Sequence, residues 1–268
     1  MSLRLGVHGA GGRMGCSVLQ VALDQEGIQV SAAVDRVGGQ SVGQDVGSLI
    51  GRAAQGLKVS ERLDAANPVQ VWIDFSTPEA TSQLLRHCIE TRSALVLGTT
   101  GLDAEGESLL RSLAGVAPVM RSPNMSLGVT VLCYLARQAV ALLGEAFDAE
   151  IVEMHHRAKI DAPSGTALRI AEVVAEAKGW ERDSFCFGRE GKVGARPDRE
   201  IGVLALRGGD VVGDHTLTLA GPSERVEITH RAHDRLVFAR GAVRAATWVV
   251  QQTPGIYDMM DVLGVARR

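Results

Sequence analysis

The chain has 268 residues, enough to bury the core of one large domain or two modest ones. Hydrophobic residues make up 46% and charged residues 22%, with a formal net charge of −3, which fits a soluble globular protein and argues against a basic nucleic-acid surface. No apolar run approaches the roughly 18 residues that span a bilayer, no basic-then-apolar leader opens the chain, and Cys16, Cys88, Cys133 and Cys186 are widely scattered, so a cytoplasmic protein with reduced thiols, no membrane contact and no metal is expected.

In chain order, Leu3–His8 reads as a short buried strand, followed by Gly9-Ala-Gly-Gly-Arg-Met-Gly15 and a helical stretch from Cys16 to Leu23. Glycines at 9, 12 and 15, set between a strand and a helix, form a variant of the dinucleotide-binding fingerprint. The first permits a tight turn, the second close approach of a pyrophosphate, and the third close helix packing. Ile28–Val34 reads as the second strand and ends in Asp35-Arg36, an acid for ribose hydroxyls beside an arginine suited to a 2′-phosphate. Arg13 is placed to face the phosphates or the 2′-phosphate, with Met14 beside it in the turn.

Further strands are expected at Val71–Phe75, Ala94–Leu97 and Ala117–Met120, with helices capped by Thr77-Pro78 and Asp103 between them. That alternation implies a doubly wound parallel sheet whose ligands bind beyond the carboxyl ends of the strands. Phe75, Gly98, Thr99, Thr100, Ser122 and Asn124 all fall at such ends, and Gly98–Thr100 with Asn124 are expected along the nicotinamide end of the cofactor.

From a helix beginning near Ser126 the pattern changes. Ala149–Glu153, Ile201–Arg207, His215–Ala220 and Arg225–Thr229 read as strands, with helix only between the first two, which fits an open, antiparallel-rich sheet packed on helices. The segment from Glu153 to Thr166 carries the most chemistry. Ala162 before Pro163 favours extended backbone, and Ser164 is a good N-cap, so a helix opens at Ser164-Gly165-Thr166. Its free N–H groups and positive dipole end favour an anion. Just upstream, His155, His156 and Lys159 supply proton donors, an arrangement suited to a carboxylate-bearing substrate. Adjacent histidines on extended chain point to opposite faces and chelate a metal poorly. Asp161 and Arg207–Asp210 read as structural.

These segments together resemble the dihydrodipicolinate reductase family of the diaminopimelate–lysine pathway. The resemblance is carried by Gly9–Gly15, Asp74-Phe-Ser-Thr-Pro78, Gly98-Thr-Thr-Gly101, Ser122-Pro-Asn-Met-Ser126, Glu153–Thr166, Arg207–His215 and Arg240–Arg244, in order over nearly the whole chain. It implies reduction of 4-hydroxy-tetrahydrodipicolinate to tetrahydrodipicolinate with loss of water, by NADH or NADPH. His155 would be the general acid, Lys159 its cationic partner and His156 a contact to the substrate, a small cyclic dicarboxylate. It also implies that the C-terminal part returns to the first domain. The expected division is a Rossmann-like dinucleotide domain at 1–126 and 236–268, and a substrate-binding and oligomerisation domain of α+β type at 127–235, assembled as a homotetramer. Thr77 stands where some relatives carry Arg, and Met125, otherwise a cofactor contact, where Phe is common. Another two-domain nicotinamide dehydrogenase would share the first half without needing His155–Thr166, and a regulator that had lost catalysis would tolerate loss of His155.

Overall fold

Residues 2–66 and 68–265 are described by the computed structural model; Met1, Asn67 and 266–268, which the expected domain ranges include, lie outside them. In chain order the first elements are β1 (Leu3–His8), α1 (Arg13–Asp24), β2 (Ile28–Val34), the one-turn α2 (Val46–Leu49), β3 (Val71–Asp74), α3 (Pro78–Thr91), β4 (Ala94–Leu97), α4 (Ala104–Ala114) and β5 (Pro118–Arg121). Next come α5 (Leu127–Leu143), β6 (Asp148–His155), α6 (Gly165–Lys178), β7 (Phe185–Cys186), β8 (Ile201–Arg207), β9 (Gly213–Gly221) and β10 (Glu224–Ala232). The chain closes with α7 (Leu236–Val249), β11 (Gly255–Tyr257) and α8 (Met259–Val262). It divides into two compact units, Met1–Leu127 with Leu236–Arg268, and Gly128–Arg235.

The first unit is a six-stranded, wholly parallel sheet in the order β11-β5-β4-β3-β1-β2. β3 and β4 are buried on both faces, as apolar runs in a parallel sheet require. Alternation sends Ile73 and Val96 to one face, with Val18 and Leu19 of α1 and Ala242 and Ala246 of α7. Trp72, Leu95 and Leu97 go to the other, against Leu84 and Leu85 of α3 and Leu110 and Leu113 of α4. The helix starts are built as their sequences suggest: Thr77 accepts from the Ala80 N–H with Pro78 in the first turn, and Asp103 accepts from the Gly106 N–H at 2.8 Å. From β1 the chain steps to β2 on one side and then to β3 on the other. The topological switch, where such sheets bind ligands, therefore lies between β1 and β3.

The second unit holds a mixed five-stranded sheet, β10-β9-β6-β8-β7. β9 runs antiparallel to β6 and β10, while β8 runs parallel to β6 and β7, so the pairings divide evenly. The parallel pair arises because α6 carries the chain back across the sheet between β6 and β8. Leu132, Ala136 and Val140 of α5 and Ile170, Ala171 and Val174 of α6 pack on Ile151, Val203, Leu217 and Leu219. β7, β11 and α2, two to four residues each, were not anticipated, because so short a segment carries no periodicity.

Candidate active site

The first unit carries a cleft of about 860 Å³ at the switch point, walled by the ends of β1, β2 and β3 and the start of α3. Gly9, Gly12, Asp35, Arg36 and Phe75 line it. Gly9, Gly11 and Gly15 are sterically required. Gly9 has φ +76°, and a Cβ there would sit 2.6 Å from the Phe75 carbonyl oxygen. At Gly15 a Cβ would lie 2.1 Å from the Gly9 oxygen, so the start of α1 touches the turn. At Gly11 it would meet the Asp35 carboxylate, which accepts from Gly11 N–H at 3.1 Å, from the Arg36 N–H at 2.8 Å and from the Ser41 hydroxyl. No side chain caps α1 at Gly12, so its first N–H groups remain available to an anion. Turn, uncapped helix start and acid at the end of β2 fit a dinucleotide.

The other expected cofactor residues, Arg13, Met14, Gly15, Gly98, Thr99, Thr100, Ser122, Asn124 and Met125, are not among the residues that line this cleft. Thr99 is buried, its hydroxyl donating to Asp74 at 2.9 Å and accepting from the Ser76 N–H at 3.0 Å, while Thr100 is exposed. Gly98 leaves space for the Phe75 ring, which a Cβ would strike. Ser122 donates to the Asn124 carbonyl at 2.6 Å and Asn124 accepts from the Ser126 N–H at 2.8 Å, turning the chain into α5. Arg13 is exposed on the first residue of α1 and Met14 packs partly on the core. Met125 is 1% exposed, its side chain packed inside that core. Sequence reasoning passed over His8, which lines the cleft, and Asp74 beneath it. Asp74 is fully buried and accepts from His8 Nδ1 at 2.7 Å and Thr81 Oγ1 at 2.5 Å besides Thr99. Burial opposes its ionisation, but His8 and the hydroxyl donors outweigh burial and hold the carboxyl below its ordinary range. A lone acid in the apolar strand Val71–Asp74 was the visible signal.

In the second unit His155 ends β6 and is nearly buried. Its Nδ1 lies 2.6 Å from Oε2 of Glu153, a carboxylate with no exposure that Arg207 grips at 2.8 Å through both oxygens. Glu153 also accepts from the Ser164 N–H at 3.0 Å. Ser164 is the N-cap of α6, its hydroxyl accepting from the Ala167 N–H and pairing with His215 Nε2 at 3.0 Å. That hydroxyl is engaged at the helix start, which it helps to build. Gly165 is exposed, and a Cβ there would meet nothing within 4 Å. The space before the α6 N-terminus is open, with Thr166 in the same turn. Lys159 Nζ reaches both Asp161 oxygens at 2.8 Å, and Arg207 donates to the Asp161 carbonyl at 2.7 Å, in keeping with structural roles for Asp161 and Arg207. His156 Nε2 lies 3.2 Å from Arg235 Nη2.

The His215 ring stands edge-on to His155, centroids 5.2 Å apart. Burial first, then the neighbouring His155, pushes His215 down to about 4, so it is neutral at physiological pH. Glu153, Arg207, His215 and Arg235 were not read as site residues. Glu153 was legible, because residues two apart on a strand share a face. The others are joined to it only by the sheet and loops. Among the described residues no group of three or more His, Cys, Asp or Glu is placed to hold a metal ion, and no helix is long and apolar enough to cross a membrane.

Two family descriptions match the chain: dihydrodipicolinate reductase, N-terminus, over residues 3–125, and dihydrodipicolinate reductase, C-terminus, over residues 128–263. The 4-hydroxy-tetrahydrodipicolinate reductase of Halorhodospira halophila is 48% identical over 267 residues, covering 99% of this chain and 100% of its own. That of Thiobacillus denitrificans is 47% identical with the same coverage. The solved, dipicolinate-bound dihydrodipicolinate reductase from Paenisporosarcina sp. TG-14 shares the fold, with a TM-score of 0.78 at 24% identity over 97% of this chain and 99% of its own. With a Rossmann-like first unit, a mixed-sheet second unit and near-complete coverage by both family halves, the chain belongs to the dihydrodipicolinate reductase family, a family of oxidoreductases.

Proposed function

We propose that this enzyme reduces 4-hydroxy-tetrahydrodipicolinate to tetrahydrodipicolinate with loss of water, using NADH or NADPH, as a step of lysine biosynthesis through diaminopimelate. The observation that carries the reading is the pairing of one carboxylate-anchored imidazole, His155, with the open N-terminus of α6, both tied to Glu153. The first unit would hold the cofactor through Gly9, Gly12, Gly15, Arg13, Asp35, Arg36 and Phe75, with the loops at Gly98–Thr100 and Ser122–Asn124 shaping its wall. When bound, the nicotinamide supplies a hydride.

Hydride addition places negative charge on the substrate ring, so a proton donor and nearby cations stabilise the transition state. His155 donates the proton to the ring carbon beside the reduced one. Lys159 is its cationic partner, exchanging the exposed Asp161 for substrate. One substrate carboxylate is met by the N–H groups of Gly165 and Thr166, oriented by the inward-turned Ser164 cap. The other is met by His156 and Lys159, with Arg235 beside His156 adding a third cation. The second unit is also the surface through which four chains would assemble, and the reaction belongs to the cytoplasm.

The test follows oxidation of NADH and NADPH in separate reactions, with substrate generated in situ from pyruvate and aspartate semialdehyde by the preceding synthase. Oxidation dependent on every component is expected, and the ratio of the two rates measures cofactor preference. Absence of oxidation from protein that binds both dinucleotides sinks the assignment.

A further inference from the structure

The geometry points to Glu153, held by Arg207, as the positioning residue that turns Nδ1–H of His155 inward and leaves Nε2 as the proton-donating atom, with Gly213 keeping the approach to Nε2 clear. The inference rests on the assignment of His155 as proton donor. Glu153 has no exposure, and each of its oxygens is engaged twice: Oε1 by Arg207 Nη2 and the Ser164 N–H, Oε2 by Arg207 Nη1 and His155 Nδ1. Arg207 and the Ser164 amide are donors only. Burial opposes ionisation of this carboxyl, yet Arg207, His155 and the Ser164 N–H outweigh it and hold it ionised. An ionised carboxylate only accepts, so His155 Nδ1 must donate. Among the described residues Nε2 makes no hydrogen bond, and it is the nitrogen left to carry a mobile proton.

Two further contacts agree. A Cβ on Gly213 would stand 2.9 Å from His155 Nε2, so any side chain there obstructs that atom. Gly213 does not have a left-handed backbone, so its requirement is space, not conformation. Of the titratable groups around His155, Arg207 comes from β8, His215 from β9, and Glu153 from β6 itself, with Lys159 in the following loop. His215 is neutral at physiological pH and already paired with Ser164, so it does not compete for the proton. Because Glu153 also holds Ser164, the first residue of the anion cradle, one carboxylate sets the proton donor and the cradle in register.

Two variants and one spectrum test this. Glu153→Gln keeps the shape but cannot accept at both oxygens; kcat is expected to fall about a hundredfold, the contribution of a well-placed general acid. KM for the dicarboxylate should change less than threefold, and the alkaline limb of the kcat pH profile should move to lower pH. Gly213→Ala, which leaves the Arg207 and Ser164 contacts to Glu153 alone but crowds the His155 ring, should lower kcat at least tenfold with NADPH affinity retained. If Glu153→Gln fails to fold, Gly213→Ala decides. Wild-type turnover with either folded variant within twofold of wild-type kcat and the same pH profile overturns the inference. The tautomer is read without turnover: ¹⁵N-histidine spectra of wild type, assigned against His155→Gln, should show neutral His155 protonated at Nδ1. A proton on Nε2 in the neutral form overturns the inference even if the proposed reaction stands, and the Nδ1–H form upholds the Glu153 anchor even if that reaction fails.

Discussion

Asp74 is the point at which the dinucleotide cleft and the stability of its unit meet. It is fully buried and accepts from His8 of β1 at 2.7 Å, Thr81 of α3 at 2.5 Å and Thr99 of the loop after β4 at 2.9 Å. Asp74→Ala strips the buried His8 and Thr99 donors of their acceptor and leaves Thr81 only its longer contact to Ser76 Oγ at 3.3 Å. Each loss costs at least about 1 kcal/mol, and loss of one partner from a buried ionic cluster costs about 3–5 kcal/mol in total. Relief of the desolvated charge offsets part of this, and a loss of about 4 kcal/mol is expected. Asp74→Asn keeps one acceptor for the hydroxyls but presents NH₂ to His8, and should cost about 2 kcal/mol, the difference between a charge-assisted and a neutral bond. The folded carboxyl titrates below its unfolded value, so this stability is present above the unfolded pKa of about 3.9 and is lost as pH falls through the lower folded one. Urea unfolding followed by tryptophan fluorescence, to which buried Trp72 contributes, measures both effects. The gap between wild type and Asp74→Asn should be full at pH 7 and narrow towards pH 3. A gap under about 0.5 kcal/mol, the size of an ordinary surface change, or one that widens on acidification, refutes the reasoning.

His155→Gln should lower kcat/KM by about 10²- to 10⁴-fold while leaving NADPH affinity within twofold by fluorescence titration, since the residue belongs to the second unit. Lys159→Met should lower kcat and also raise KM by about tenfold, the loss of one charged contact to a carboxylate, in the same steady-state assay. Gly15→Ala sets a Cβ 2.1 Å from the Gly9 oxygen and should destabilise by about 1–3 kcal/mol and weaken NADPH binding, read by melting temperature with and without cofactor. Burial lowers His215 to about 4 against an unfolded value near 6.5, so below pH 6.5 the unfolded chain takes up a proton that the native state refuses. Stability should then fall by up to about 3 kcal/mol between pH 6.5 and 4, and His215→Gln should flatten that slope in urea titrations.

Much of this protein is decided locally. The order of strands and helices, the Gly9–Gly15 turn, the Thr77, Asp103 and Ser164 caps and the His155–Thr166 segment are all written in neighbouring residues. Backbone conformation, helix capping and strand alternation depend on near neighbours alone. The partners of those residues are not local. Glu153 meets Arg207 because β8 lies parallel beside β6, and His215 comes beside Glu153 and His155 because β9 lies on the other side. Asp74 meets His8 because the two stand opposite in the β1–β3 register. Met125 was legible as a motif residue, yet the direction of its side chain, into the core, follows from packing. The β6–β8 register is set between residues 52 apart in sequence, Ala149 with Ile201 and His155 with Arg207, and a shift of one residue would reverse every side chain. The motif residues and the carboxylates Asp74 and Glu153 were therefore legible in the sequence, while the partners that grip those carboxylates, His8, Arg207 and the Ser164 N–H, were decided only by the tertiary structure.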